Sequence, residues 1–287
     1  MRKILCILCL FCLGFLQGQL KHPKASPLAS LTQEVGLSKI SVTYSRPSVR
    51  GRTIFGDIVP YGRIWRVGAN ASTKFTVDTD VEILGNVLPK GTYALYAFPE
   101  EKQWEIVFHT NTSHWGDGRK AYDSKEDAFR ITIVPEQMPI LQENFLISFD
   151  AITHNKLAML WIWEHTKITI PIQVPTDSKM MQEIATQLKE NPSAQTYYEA
   201  ARYLQEQQKE YATALNYLNQ AIALGGDTYY FYRVKSLVEA ALGQYKNAIE
   251  SADTSLKLAK KEGKDEFVRM NEKNIKQWKL QSNTPKK

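Results

Sequence analysis

The chain has 287 residues, 43% of them hydrophobic and 23% charged, with a formal net charge of +6 and three cysteines. That length supports two ordinary domains with cores of their own. So mild a basic balance supplies no polybasic field and argues against a nucleic-acid binder, and Cys6, Cys9 and Cys12 all lie in the opening segment, which excludes disulfides, thiol catalysis and Cys-ligated zinc or iron–sulfur clusters for the rest.

In chain order, Arg2 and Lys3 precede an apolar run from Ile4 to Leu16, followed by Gln17 and Gly18. This is the layout of a secretory signal peptide, expected over 1–18. An uncleaved anchor is the competing reading, but the run is shorter than the roughly 20 apolar residues a spanning helix needs. Leu5, Leu8 and Phe11 precede the cysteines, so no lipobox is present. The expected setting is periplasmic or secreted, with no membrane span after cleavage. Cleavage would leave 34 basic against 30 acidic residues.

Residues 25–175 read as an antiparallel β-sandwich. Ile40, Val42 and Tyr44 alternate with polar neighbours, as do Phe75 and Val77. A Pro-Lys-Gly turn feeds the strand in Leu88 to Pro99, and Trp104 to Thr110 follows as its hairpin partner. Further strands are expected at Phe129 to Val134, Phe145 to Ala151, Leu157 to Trp163 and Lys167 to Val174. Period-2 runs separated by turns, with no helical pattern among them, are the mark of this architecture. Met159, Trp161 and Trp163 share one face of their strand, with Leu160 and Ile162 on the other, so the strand is expected to be covered on both sides. Two aligned tryptophans suit a sugar-stacking platform or a core, and large aromatics dominate cores.

Between the first two predicted strands lies the segment richest in chemistry. Tyr44 to Asn70 holds Arg46, Arg50, Arg52, Arg63 and Arg66, no lysine, and Asp57 as its one acid, interleaved with Tyr44, Phe55, Tyr61 and Trp65. Guanidinium groups present five donors in a rigid fork and stack on rings, so converging forks would take a carboxylate, phosphate or acidic sugar. Alternatively they satisfy the carbonyls of an irregular loop. Arg46 and Arg52, beside Pro47 and Gly51, suit the second role. Arg63, Arg66 and Asn70 suit a pocket, and Arg46, Arg52, Tyr61, Trp65 and Trp115 complete the candidate ligand-binding set.

His109 and His114, near Asp117 and Asp123, are weak metal candidates, because their spacing outside a helix fixes no geometry. Glu126 and Asp127 read as turn carboxylates. No G-x-S-x-G elbow, H-E-x-x-H or phosphate-binding loop occurs, so no catalytic residue and no cofactor is assigned.

Pro175 closes the strand region, and 176–287 reads as helical. Asp177 or Ser178 caps a helix carrying Met180, Met181, Ile184, Ala185 and Leu188. Tyr211 to Leu224 and Tyr245 to Leu258 then align without gaps at an offset of 34 residues, Ala214 matching Ala248. With helices expected before each copy, at Ala194–Gln207 and Thr228–Leu242, the array resembles the tetratricopeptide repeat. The first copy departs from that pattern: Gln207-Gln208-Lys209-Glu210 lacks the turn glycine and is longer than the pattern by one residue.

The first half resembles a bacterial family called domain of unknown function 2911. The resemblance rests on Ser26 to Pro47, Gly51 to Asn70, Leu88 to Pro99, His114 to Gly116 and Leu160 to Glu164. It implies a secreted β domain with no established reaction. It also implies an acid after Gly68-Ala69-Asn70, where this chain has Ala71. The expected function is a non-catalytic binding or scaffold protein, with an acidic or sugar-like ligand near Arg63–Asn70 and a protein partner on the helical repeats. The rival is a hydrolase of unrecognised class acting on envelope polysaccharide or peptide, using His109 or His114 with Asp117 or Asp123.

Overall fold

A computed structural model of the chain describes residues 22–116 and 119–282. The predicted leader and Asp117 lie outside the described residues. The chain divides into two compact units between Asp177 and Ser178.

The first unit holds ten strands among the described residues: β1 (Leu28–Val35), β2 (Ser38–Ser45), β3 (Thr73–Val77), β4 (Val81–Ile83), β5 (Asn86–Leu88), β6 (Gly91–Pro99), β7 (Trp104–His109), β8 (Asp127–Ile133), β9 (Glu136–Asp150) and β10 (Lys156–Gln173). They form a six-stranded sheet in the order β1-β2-β3-β6-β7-β8 and a four-stranded sheet in the order β5-β4-β10-β9. All neighbouring strands run antiparallel. Alternate residues of both sheets, such as Ile40, Phe75, Ile106, Met159 and Ile170, bury into one core. At its centre Trp65 stacks on Trp163, with ring centroids 6.0 Å apart, and meets Trp104 and Phe145 edge-on. Burial of such large rings supplies much of the driving force for closing a sandwich.

Two expectations are corrected. Leu157–Trp163 and Lys167–Val174 belong to one 18-residue strand, β10. Its buried positions are odd-numbered from Leu157 to Trp163 and even-numbered from Thr166 to Ile172. The change of parity falls where the register with β9 shifts and where Glu164 takes φ 55°. The additional residues lie on β9, whose partners run from Leu146 to Gln137 while β10 advances from Ile162 to Thr166, and across this irregularity the next apolar set of β10 turns back toward the core. Leu160 and Ile162, on the other face, are half-exposed, so β10 is fully covered on one side only.

The second unit comprises α1 (Thr176–Glu190), α2 (Ala194–Glu206), α3 (Tyr211–Ala223), α4 (Tyr229–Ala241), α5 (Tyr245–Lys261) and α6 (Asp265–Ser282). Thr176 and Asp177, which open α1, belong to the first unit. Ser193 caps α2 by accepting from Thr196 N–H. Helices α2 with α3, α4 with α5, and α5 with α6 pack as successive neighbours. Small and apolar residues close these contacts: Ala214, Leu218 and Ala221 in α3, and Ala248, Ala252 and Ser255 in α5, are all fully buried.

Candidate functional site

The segment joining β2 to β3 is irregular, and two of its arginines hold it together. Arg46 Nε donates to the Phe145 carbonyl at 3.0 Å. Arg52 donates from Nε to the Val49 carbonyl at 2.9 Å and from a terminal nitrogen to the Ser48 carbonyl at 2.7 Å. These forks tie main-chain oxygens of the segment and of β9 to the loop. Gly56, at φ 93°, lets the Tyr61 ring close over the turn, for a β-carbon there would come within 2.9 Å of the ring. Tyr61 therefore packs on its own loop.

Farther along, the segment runs beside the end of β6. Gly62 N–H donates to Pro99 O at 2.9 Å, and Trp65 and Ala97 exchange two backbone bonds of 2.8 Å. Strand-like alternation follows. Trp65 enters the core, 6% exposed, with Nε1 donating to Gly68 O at 3.2 Å. Ile64 packs with Tyr96 and Val107 on the outer face of the six-stranded sheet, and Arg66 lies close enough to Tyr96 for its charge to act on the phenol.

A cleft of two adjoining lobes opens here. The first lobe, about 290 Å³, is lined by Arg63, Arg66 and Arg119 over Ile58, Pro60 and Ile64. The second, about 270 Å³, is lined by Arg50, Arg52 and Arg66 together with Ser26 and Ser48. Ile58, Val59, Trp65 and Arg66 border both, and among the described residues no acid lines either. Arg63 is exposed, and its guanidinium makes no hydrogen bond or ion pair with the described residues. Planar forks gathered over an apolar floor suit an anionic group.

Of the eight predicted ligand residues, Arg52, Arg63, Trp65 and Arg66 line this cleft, Trp65 chiefly as a core residue. Arg46 and Tyr61 serve the loop. Asn70, at φ 63°, donates from Nδ2 to Ser26 O at 3.2 Å and to Ser45 Oγ at 3.1 Å, outside both lobes. Trp115 is 77% exposed and bridges Ala71 through the backbone, also outside them. Arg50 and Arg119 are the additions. Arg50 belongs to the sequence cluster, but Arg119 comes from the β7–β8 connection, and nothing local in the sequence ties it to Arg63.

A second polar cluster occupies the same outer face. His109, at the end of β7, is fully buried, with Nδ1 2.9 Å from Asp127 Oδ1 across the β7–β8 pair. Tyr122 donates to both oxygens of Asp127 at 2.9 and 2.7 Å, and Arg130 Nε donates to Oδ2 at 2.9 Å. Burial, and then the bond to Asp127, push the Tyr122 phenol well above its ordinary range. Tyr96 Oη lies 3.2 Å from His114 Nδ1. Burial raises the Tyr96 phenol as well, while a bond to Ser72 and the charge of Arg66 pull it down and Glu126 pushes it up. Asp123, one of the predicted histidine partners, instead caps the 3₁₀ turn Ser124–Glu126. Glu126 and Asp127 take the place given to Asp123. They are adjacent in sequence, yet each faces a different nitrogen of His109. His109 meets Asp127 through a register shift after Phe108, whereas an unbroken hairpin register would set it opposite Ala128, so no signal for the pair was present in the sequence.

Among proteins of known sequence, a family model described as "Protein of unknown function (DUF2911)" matches residues 26–172. No curated protein matches the chain.

Proposed function

The chain belongs to the DUF2911 family, and from that premise we propose that its β domain is a non-catalytic receptor for a small anionic ligand, such as a carboxylate, a phosphate or an acidic sugar. One observation carries the reading: Arg63, Arg66 and Arg119 border a single cavity of about 290 Å³ with an apolar floor and, among the described residues, no acid in its wall. That volume sits at the small end of ligand pockets, of about 300–1,000 Å³, and suits one sugar ring or acidic group. Charge-assisted bonds from planar forks would supply both affinity and orientation.

Binding of glucuronate, phosphate and neutral glucose, measured by calorimetry at low salt, tests the reading. At least one of the two anions should bind saturably and glucose should not. Arg63→Ala should weaken the binding about tenfold or more, since a bond to a charged group contributes about 1.5–3 kcal/mol. Equal binding of glucose and glucuronate, or no anion binding at all, would refute the proposal.

The helical unit belongs to the same reading as a tetratricopeptide-like platform for a protein partner. It is supported by burial that repeats at the 34-residue offset, Ala214 with Ala248, Leu218 with Ala252 and Ala221 with Ser255. An exported setting is supported by Arg2, Lys3 and the apolar run that follows. No helix of the described residues is long and apolar enough to cross a membrane. The rival reading, a hydrolase of envelope polysaccharide or peptide, is favoured by the 2.9 Å His109–Asp127 pair, the kind of contact that orients a general base. Turnover of a glycoside or peptide panel, lost in Asp127→Asn protein, would favour it over a receptor.

A further inference from the structure

The histidine cluster beside the cleft has features that anion binding does not use. We propose that His109, His114 and Glu126 form a site for one divalent transition-metal ion of the zinc class. This site is distinct from the anion cleft and does not rest on that reading.

The argument starts from His109. Its Nδ1 faces the Asp127 carboxylate at 2.9 Å. Asp127 accepts from Tyr122 and Arg130, and the tautomer that fits this acceptor is the one in which His109 Nδ1–H donates to it as well. In the neutral ring Nε2 is then a lone pair. That atom is buried and makes no hydrogen bond. It lies 3.4 Å from Glu126 Oε2, without the geometry of an N–H donor aimed at the acid. A fully buried acceptor left unpaired is costly, and a cation placed between it and Glu126 would satisfy both. An imidazole oriented by a carboxylate through its far nitrogen is also how metal-binding histidines are commonly held.

The third ligand comes from the β7–β8 connection. One nitrogen of His114 completes a set whose three ligand atoms lie within 4.8 Å of one another. Bonds of 2.0–2.1 Å at tetrahedral angles require ligand separations of roughly 3.3–3.5 Å. The His109–Glu126 pair already meets this, at 3.4 Å, and the His114 nitrogen lies within the 4.8 Å span. The ligands are braced from behind: Asn111 Nδ2 donates to both Glu126 oxygens at 3.2 Å, and Tyr96 holds the His114 ring. Two imidazoles with one carboxylate suit zinc, cobalt or nickel over magnesium or calcium, which prefer oxygen. Three protein ligands leave a coordination position open to water or an anion.

The test uses untagged protein, stripped with chelator and titrated with Co²⁺, followed by its visible ligand-field bands. One equivalent should bind saturably, with bands that disappear as Zn²⁺ displaces it. His114→Ala and Glu126→Gln should each weaken binding at least tenfold while leaving the near-ultraviolet circular dichroism of the stripped protein unchanged. Asp127→Asn, which keeps all three ligands, should weaken it by about 10–100-fold. Should that variant fail to fold, the other two decide alone. Absence of saturable uptake, or uptake equal to wild type in both His114→Ala and Glu126→Gln proteins, would overturn the proposal.

Discussion

Arginines that share one segment do unlike work. Arg46 and Arg52 donate to main-chain oxygens, whereas Arg63 faces the cleft with no described partner. Arg46→Ala is therefore expected to lower stability by about 1–3 kcal/mol, the usual cost of leaving a partly buried acceptor unpaired. Arg63→Ala should change stability by no more than about 0.5 kcal/mol. Chemical denaturation of the two variants makes the comparison. In the helical unit, Glu239 is 4% exposed, and burial lifts its carboxyl above the ordinary range, only partly offset by a bond to Ser251 and the charge of Lys235. The folded state thus holds this proton more tightly than the unfolded chain does. Its contribution is fully present below the unfolded carboxylate range and is lost as pH rises through the raised folded value. Glu239→Gln should accordingly raise the melting temperature at about pH 7.5, with the gain vanishing near pH 4.

At the scale of elements, the two repeat turns differ in one feature. Gly243 takes φ 73° after α4, and the following residue, Gln244, donates from N–H to Glu239 O at 2.9 Å. After α2, Gln208 takes φ 53°, and the next residue, Lys209, donates to Leu204 O at 3.1 Å. Both turns close a helix in the same way, but one does so without glycine. A side chain in the left-handed region costs roughly 1–2 kcal/mol, so Gln208→Gly should raise stability by up to about 1 kcal/mol. Thermal melts of the variant and wild type would show it. The same comparison shows what the sequence made legible. The change from period 2 to helical spacing at Pro175, the repeat, and the inward alternation of Trp161 and Trp163 were readable, because each rests on local periodicity. Strand β1 escaped because only Val35 in it is buried, and β4 and β5 escaped because three residues carry no period. The irregularity opposite β9 was written in the parity change of β10 between Trp163 and Ile168, but it resembled a gap between two strands. The cleft was half legible. Arg63 and Arg66 cluster in sequence, whereas Arg119, Glu126 and Asp127 reach the outer face through the β7–β8 connection, which no local pattern encodes.

For the molecule as a whole, the two units have separate cores. One runs from Val35 to Val174, and the buried clusters of the other begin at Ile184. A fragment covering 22–177 is therefore expected to fold alone and to melt in one cooperative transition, observable by circular dichroism. The cleft lies wholly within that fragment, so its chemistry is accessible without the helices. The most direct measurement is an NMR titration of arginine Nε–Hε signals in the full chain with phosphate and with glucuronate. Saturable shifts at Arg63 and Arg66, with Arg46 unmoved against its carbonyl, are expected for at least one anion. Shifts absent for both anions, or spread evenly over all the arginines, would contradict an anion-binding cleft.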